Sequence, residues 1–146
     1  MMDILDRDFP VDPSDLLPDE TQDTAVFWDG LKAGRLQAQS CDDCGRFRFP
    51  VAPVCPHCGS IKWQWRALSE HGLVFSWVRY RRGYLPEFAD LMPYVVACVE
   101  FPEGVRMFGR LANAPKDGPV RIGASVRAEA ERWPGGRCVV RFRLED

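Results

Sequence analysis

Four cysteines in two close pairs, Cys41-Asp-Asp-Cys44-Gly45 and Cys55-Pro56-His57-Cys58-Gly59, constrain this chain more than any other feature, because within eighteen residues they complete a tetrahedral set of metal ligands. A soft ion with a filled d shell, zinc above all, favours four thiolates, and the two-residue spacer lets both sulfurs of one turn reach the same ion. Gly45 and Gly59 stand where a left-handed backbone residue would turn the chain back. The spacing predicts two metal-binding knuckles joined by a short hairpin, with ten residues between Cys44 and Cys55.

The pairs have three rival readings. Disulfides are disfavoured because Met1 to Glu20 is acidic and proline-containing, with no secretory character, and this also predicts a cytoplasmic protein. A redox Cys-x-x-Cys would open a helix after a buried strand, whereas here each pair runs into glycine and then a strand-like stretch. Iron accepts the same four sulfurs, and red colour would distinguish it from zinc. Four bound thiolates leave zinc no open position, so the ion is expected to be structural, and His57 is surplus to the shell. A ribbon of about thirty residues is too small to bury a sufficient core alone. Zinc supplies the missing stability, on the order of 10 kcal/mol in small zinc domains.

The chain has 146 residues, 46% hydrophobic and 27% charged, which allows one main core and a small satellite. No run is long and apolar enough to span a bilayer. A formal charge of -2 gives no overall attraction to nucleic acid or anionic lipid. Residues 1–22, with Pro10, Pro13 and Pro18 among acids, read as an extended acidic arm and not a packed element. Residues 23–35 read as a helix of about three turns, with Thr24 as cap and Gly34 as stop, and with Phe27, Trp28 and Leu31 covering the core of the ribbon. Residues 36–67 form the zinc ribbon. From residue 68 to 146 five runs rich in branched and aromatic residues follow: 73–81, 94–101, 106–111, 125–131 and 138–144. Val126, Ala128 and Ala130 alternate with Ser125, Arg127, Glu129 and Glu131, the period of a half-buried strand. Five strands with turns and no intervening helix predict a five-stranded barrel of the oligonucleotide- and oligosaccharide-binding (OB) type, so the fold class is mainly β. Cys98 and Cys138 lie in apolar strand runs and read as buried thiols. The loop from Arg82 to Pro93 carries Tyr84, Leu85, Phe88, Leu91 and Met92; it either plugs the barrel end or covers a ligand or partner.

The order of features is similar to a known family. Phe27-Trp28 with Leu31, Leu36 before Cys41-x-x-Cys44-Gly45, Phe49-Pro50 before Cys55-Pro56-x-Cys58-Gly59, Gly72-x-Val74-x-Ser76-Trp77, Pro93-Tyr94-Val95-Val96-Ala97 and Ile122-Gly123 together resemble the acyl-CoA-associated proteins that join a rubredoxin-like zinc ribbon to an OB fold, long catalogued as domain of unknown function thirty-five. The resemblance runs from about Ala25 to Leu144 and is carried by the combination, since each motif alone is weak. It implies a small auxiliary subunit of a hetero-oligomer with a thiolase-like enzyme, in some cases a hydratase or aldolase, acting on coenzyme A thioesters. In that setting the barrel would dock on the enzyme and help hold the acyl-CoA.

The residues agree with an auxiliary role. With His57 in a knuckle and His71 in a polar turn as the only histidines, a nucleophile, base and orienter have few candidate members. No Walker loop or dinucleotide fingerprint is present. Arg79, Arg81 and Arg82 are the candidate contacts for the phosphates of coenzyme A, through the planar donor fork of arginine, with a solvated strand face as the alternative. Tyr84 and Phe88 are the candidate acyl or partner contacts, and Cys41, Cys44, Cys55 and Cys58 the metal ligands. A second functional class, single-stranded nucleic-acid binding, draws on the cations and aromatics interleaved from Arg79 to Tyr84, against an acidic overall balance.

Overall fold

Strand-forming residues dominate the second half of the chain, and the computed structural model, which describes residues 1–6 and 14–145, closes them into a barrel. In chain order the elements are β1 (Ile4–Asp6), a 3-10 turn (Ser14–Leu16), α1 (Ala25–Lys32), β2 (Gln37–Cys41), β3 (Phe47–Arg48), β4 (Trp63–Ala67), β5 (His71–Tyr80), a 3-10 helix (Pro86–Leu91), β6 (Tyr94–Glu100), β7 (Arg106–Leu111), β8 (Ser125–Arg132) and β9 (Cys138–Leu144). Antiparallel pairs join β5 to β6 and β6 to β7, β7 runs parallel to β9, and β9 and β5 both pair antiparallel with β8, which closes the circuit. This is the expected five-stranded OB barrel.

Residue size sets the barrel's interior. Val126, Ala128 and Ala130 point inward from β8, fully buried, and their small side chains leave room for the buried Phe142 and Met107. Gly109 is required where β9 crosses β7: a Cβ there would lie 2.8 Å from the Phe142 ring and 2.9 Å from the Val140 carbonyl oxygen. Cys98 and Cys138 are buried, as expected, and burial pushes the Cys138 thiol pKa up.

In the ribbon, β2 is the central strand between β3 and β4, with Gln39 opposite both Arg48 and Trp65, and Cys41 opposite Trp63. The helix is shorter than the three turns expected, 8 residues, because Gly34 at φ +71° turns the chain and the Arg35 amide donates back to the Gly30 carbonyl. Thr24 occupies the cap position without capping; its hydroxyl oxygen instead accepts the Thr21 N–H at 3.0 Å.

Two further expectations are corrected. Phe27 and Leu31 do not cover the ribbon alone: α1 packs on β8 and β9 as well as β2, and these side chains belong to one continuous core with Leu36 and Ala38 of the ribbon and Val126 and Phe142 of the barrel. Nor is the start of the chain an unpacked arm. Met2 is buried in that core, its N–H bonds the Gly34 carbonyl at 2.8 Å, and β1 adds a parallel strand to β8. Asp3 and Asp6 of this segment are exposed, while Met2 is buried and Ile4 packs against the core. Pro10 and Pro13 lie outside the described residues. Among the described residues no helix is long and apolar enough to cross a membrane.

Because the core is continuous, Leu31→Ala should lower stability by about 2–5 kcal/mol. Zinc release and barrel far-UV circular dichroism, followed together in urea, should report one shared transition that moves to lower denaturant.

Candidate metal centre and barrel face

Four sulfurs at 2.3 Å from a tetrahedral ion lie about 3.8 Å from one another. Here Cys41 and Cys58 sulfurs are 3.6 Å apart, those of Cys44 and Cys55 are 3.7 Å apart, and all four lie within 4.8 Å of one another, so the cysteines fit a zinc ion. Each knuckle closes on its glycine: the Gly45 N–H donates to the Cys41 carbonyl and the Gly59 N–H to the Cys55 carbonyl, both at 2.9 Å, with φ of +73° and +75°. Cys41 and Cys55 are buried, while Cys44 and Cys58 lie at the surface. His57 is turned to other use, its Nδ1 accepting from Arg46 at 2.9 Å.

The backbone amides of the knuckles favour thiolate. The Cys44 N–H foremost, with that of Asp43, brings the Cys41 pKa down to about 6, and the His57 N–H is the main cause of the lowered pKa of Cys55. At Cys58 the Ser60 amide acts in the same sense, but burial and the three neighbouring sulfurs prevail and push the thiol up to about 12. Thiols crowded in this way hold protons that a dication displaces. Bound zinc supplies a crosslink between the two knuckles, with its shell filled by protein.

Sequence reasoning missed the support of this site. Gln39, fully buried, accepts at Oε1 from Arg48 Nε and from the Ala52 N–H, each at 2.9 Å, and Arg48 also donates to the Ala52 carbonyl. The pair thus ties the segment between the knuckles to the central strand. A buried glutamine opposite an arginine is the signal, and it appears only once β2 and β3 are in register.

The barrel candidates divide into two groups. Arg82, Tyr84 and Phe88 come together with Tyr80, Leu85, Met92 and Tyr94 around a cavity of 150 Å³. Arg82 lies 5.9 Å from the Tyr84 ring centroid, and Tyr80 stacks on Tyr94 at 4.9 Å. Arg79 and Arg81 turn away to the segment after β7, where Arg79 donates to the Pro115 carbonyl and Arg81 pairs with Asp117, both at 3.0 Å. The loop carrying Tyr84 and Phe88 is not wholly irregular, since Pro86–Leu91 winds into the 3-10 helix.

A second group, on the outer side of β7, β8 and β9, departs from the half-buried pattern expected of β8. Glu129 and Glu131 are each only 3% exposed. Arg141 reaches both, at 2.7 Å and 3.1 Å, Arg143 bonds Glu129 at 2.7 Å, and Arg110 pairs with Glu131, which also accepts from Trp133 Nε1 at 3.0 Å. Burial disfavours the Glu131 charge, yet Arg110 first, then the bonds from Trp133 and Arg141, hold its carboxyl below the usual range.

Cys44→Ser should abolish stoichiometric zinc binding, read with a chromophoric chelator, and unfold the ribbon. Since the Glu131 pKa is depressed by folding, its charged form contributes stability above about pH 4.3, the ordinary glutamate value, and loses it as pH falls below that. Glu131→Gln should therefore be less stable than the parent by about 3 kcal/mol near neutral pH, as expected when a buried ion pair loses one member. Denaturant titrations from pH 7 to pH 3 should show that difference shrinking at the acid end.

Two family profiles match the chain, the "ChsH2, rubredoxin-like zinc ribbon domain" over residues 28–63 and the "ChsH2, C-terminal OB-fold domain" over residues 65–131. The 3-oxo-4,17-pregnadiene-20-carboxyl-CoA hydratase alpha subunit of Mycobacterium tuberculosis is 39% identical over 125 residues, 85% of this chain and 39% of that one. The benzoylsuccinyl-CoA thiolase subunit BbsA of Thauera aromatica is 27% identical over 84 residues, 58% of this chain and 56% of that one. The chain thus spans about two fifths and just over half the length of these curated relatives. Among solved structures, a chain of the "Ltp2-ChsH2(DUF35) aldolase" superposes with a TM-score of 0.78 at 33% identity, covering 88% of this chain and 98% of that one. Four cysteines placed for one zinc, a five-stranded barrel and matches across both halves put the chain in the DUF35 family of zinc-ribbon plus OB-fold proteins.

Proposed function

We propose that this protein is an auxiliary subunit of an enzyme complex acting on acyl-CoA thioesters, with a thiolase-type enzyme as partner or, in the same role, a hydratase or aldolase. The observation that carries this reading is its superposition on nearly the full length of a chain from an aldolase assembly, supported by relatives named as hydratase and thiolase subunits. The zinc ribbon braces the assembly, and the reacting groups reside on the partner.

Within this reading the cavity of Tyr84 and Phe88 contacts the acyl or pantetheine part of the thioester, with Arg82 beside it for a phosphate. Arg81, whose pair with Asp117 is largely exposed, can exchange that partner for a phosphate at little cost. Arg79 is held by the Pro115 carbonyl and serves to fix the loop. Nucleic-acid binding is less well supported, because it needs Arg79 and Arg81 directed along a strand backbone, and both point to the segment after β7.

Affinity purification of the tagged chain from its own cells, with mass spectrometry, should recover an enzyme of one of these three types at a fixed ratio. In the purified complex Arg82→Ala should raise KM for the thioester about 3- to 30-fold with kcat nearly unchanged, the signature of lost ground-state binding worth roughly 0.7–2 kcal/mol. A purified chain that turned over the thioester alone would contradict the auxiliary role.

A further inference from the structure

The ribbon holds a buried cation that no carboxylate answers. Arg48 is 5% exposed and forms no ion pair among the described residues. Its charge is met by the Gln39 amide oxygen, the Ala52 carbonyl and the Trp63 ring, whose centroid lies 5.6 Å from the guanidinium carbon. Burying a charge without an opposite charge is costly, so the shortfall points to something that compensates it. A guanidinium is planar, with Nε and Nη2 along one edge and Nη1 beyond it. Nε and Nη2 are spent on Gln39 and Ala52, while Nη1 has no hydrogen-bond partner among the described residues. Gln39 and Ala52 border a different cavity, with Trp63 and Thr24, so the unspent edge is left for the space on the far side of Arg48. That space is a cleft of 300 Å³ lined from the ribbon by Phe47, Arg48, Phe49 and His57 and from the barrel by Val105 and Arg106. Small-molecule sites favour such junctions.

The other groups around the cleft are already matched. Arg106 is tied to Glu100 at 2.7 Å. The Nδ1 of His57 accepts from Arg46, which can only donate, so the ring carries its one proton on Nε2. No acidic side chain lines the cleft, and Glu103, next to Gly104 at its edge, accepts the Ser69 N–H at 2.7 Å. We propose that the cleft binds a small organic monocarboxylate, its carboxylate against Nη1 of Arg48 and its apolar body between Phe47, Phe49 and Val105. One unmatched buried cation calls for one negative charge, whereas a dianion such as sulfate would bring a charge with no partner of its own. The carboxylate oxygen and the guanidinium make a charge-assisted bond, strengthened where apolar walls keep water out. An acid held there touches both halves of the protein, so its binding adds to the hold of ribbon on barrel. The cleft shares no lining residue with the cavity at Tyr84.

Benzoate is the probe, with benzamide as its uncharged isostere and sulfate as the dianion, each titrated into the full zinc-loaded chain and followed by NMR. Benzoate should show nuclear Overhauser contacts from its ring protons to Phe47, Phe49 and Val105. Benzamide should bind about tenfold or more weakly, as expected when a charge-assisted bond is lost. Arg48→Lys keeps the charge but not the planar fork, and with zinc content and far-UV circular dichroism like the parent's it should weaken benzoate about fivefold or more. If that variant loses its zinc, the parent's contacts and the ratio of benzoate to benzamide affinity decide alone. Absence of contacts to these residues at about 10 mM benzoate means a cleft that holds only water, and overturns the proposal. Equal binding of benzamide overturns the role given to charge, and sulfate binding more tightly than benzoate overturns the monocarboxylate. Unchanged benzoate affinity in a folded Arg48→Lys removes Arg48 from the site and overturns it as well.

Discussion

The four sulfurs near one point govern everything that precedes the barrel. β2, β3 and β4 are short strands, five, two and five residues long, and a sheet of that size cannot bury enough apolar surface to hold itself together. A zinc ion across the knuckles removes the conformational freedom of the segment between them, and the Gln39 and Arg48 contacts then fix how that segment lies on β2. The helix and the first strand depend in turn on the ribbon's placement, since Leu36 and Ala38 of the ribbon share a core with Leu31. A metal whose shell is filled by four cysteines serves architecture.

The barrel solves a different problem. Its closure joins β8 to β9 along its length and to β5 and β1 on the other edge, with β5 meeting β8 over His71 to Leu73. Its outer surface is then available for specialisation. On the side of β8 and β9, Glu129 and Glu131 are paired with Arg110, Arg141 and Arg143. On β5 to β7, Leu73, Phe75, Val78 and Phe108 stay exposed on a face that also carries Glu100, Arg106 and Arg110.

Local features were legible in the sequence. The metal ligands are set by spacing and side-chain chemistry, and all five barrel strands appear within two residues of their expected ends because their period is local. What depended on register was not. Glu129 and Glu131 look like solvated positions until β9 is laid beside β8 with Arg141 opposite Glu129. Met107 and Phe108 are adjacent and both apolar, so composition cannot say which faces in; the pairing of Met107 with Val99 decides it. Phe27 and Leu31 showed that α1 has an apolar side, and only the packing showed that this side serves two neighbours. The apolar loop of Tyr84 reads in the sequence as a plug or a cover, but the divergence of Arg79 and Arg81 from Arg82 follows from the segment at Pro115 to Asp117, distant in sequence.

The shared core also bears on how such a protein can change over generations. Ribbon and barrel look like separable modules, joined by the few residues between β4 and β5. Yet a recombination event at that junction would deliver a ribbon whose helix was shaped for another barrel, leaving Phe27 and Leu31 opposite the wrong surface. Exchange is tolerated only when the helix side and the residues of β8 and β9 it meets travel together, so the two halves are expected to have descended as one unit, even where either half alone resembles a widespread fold.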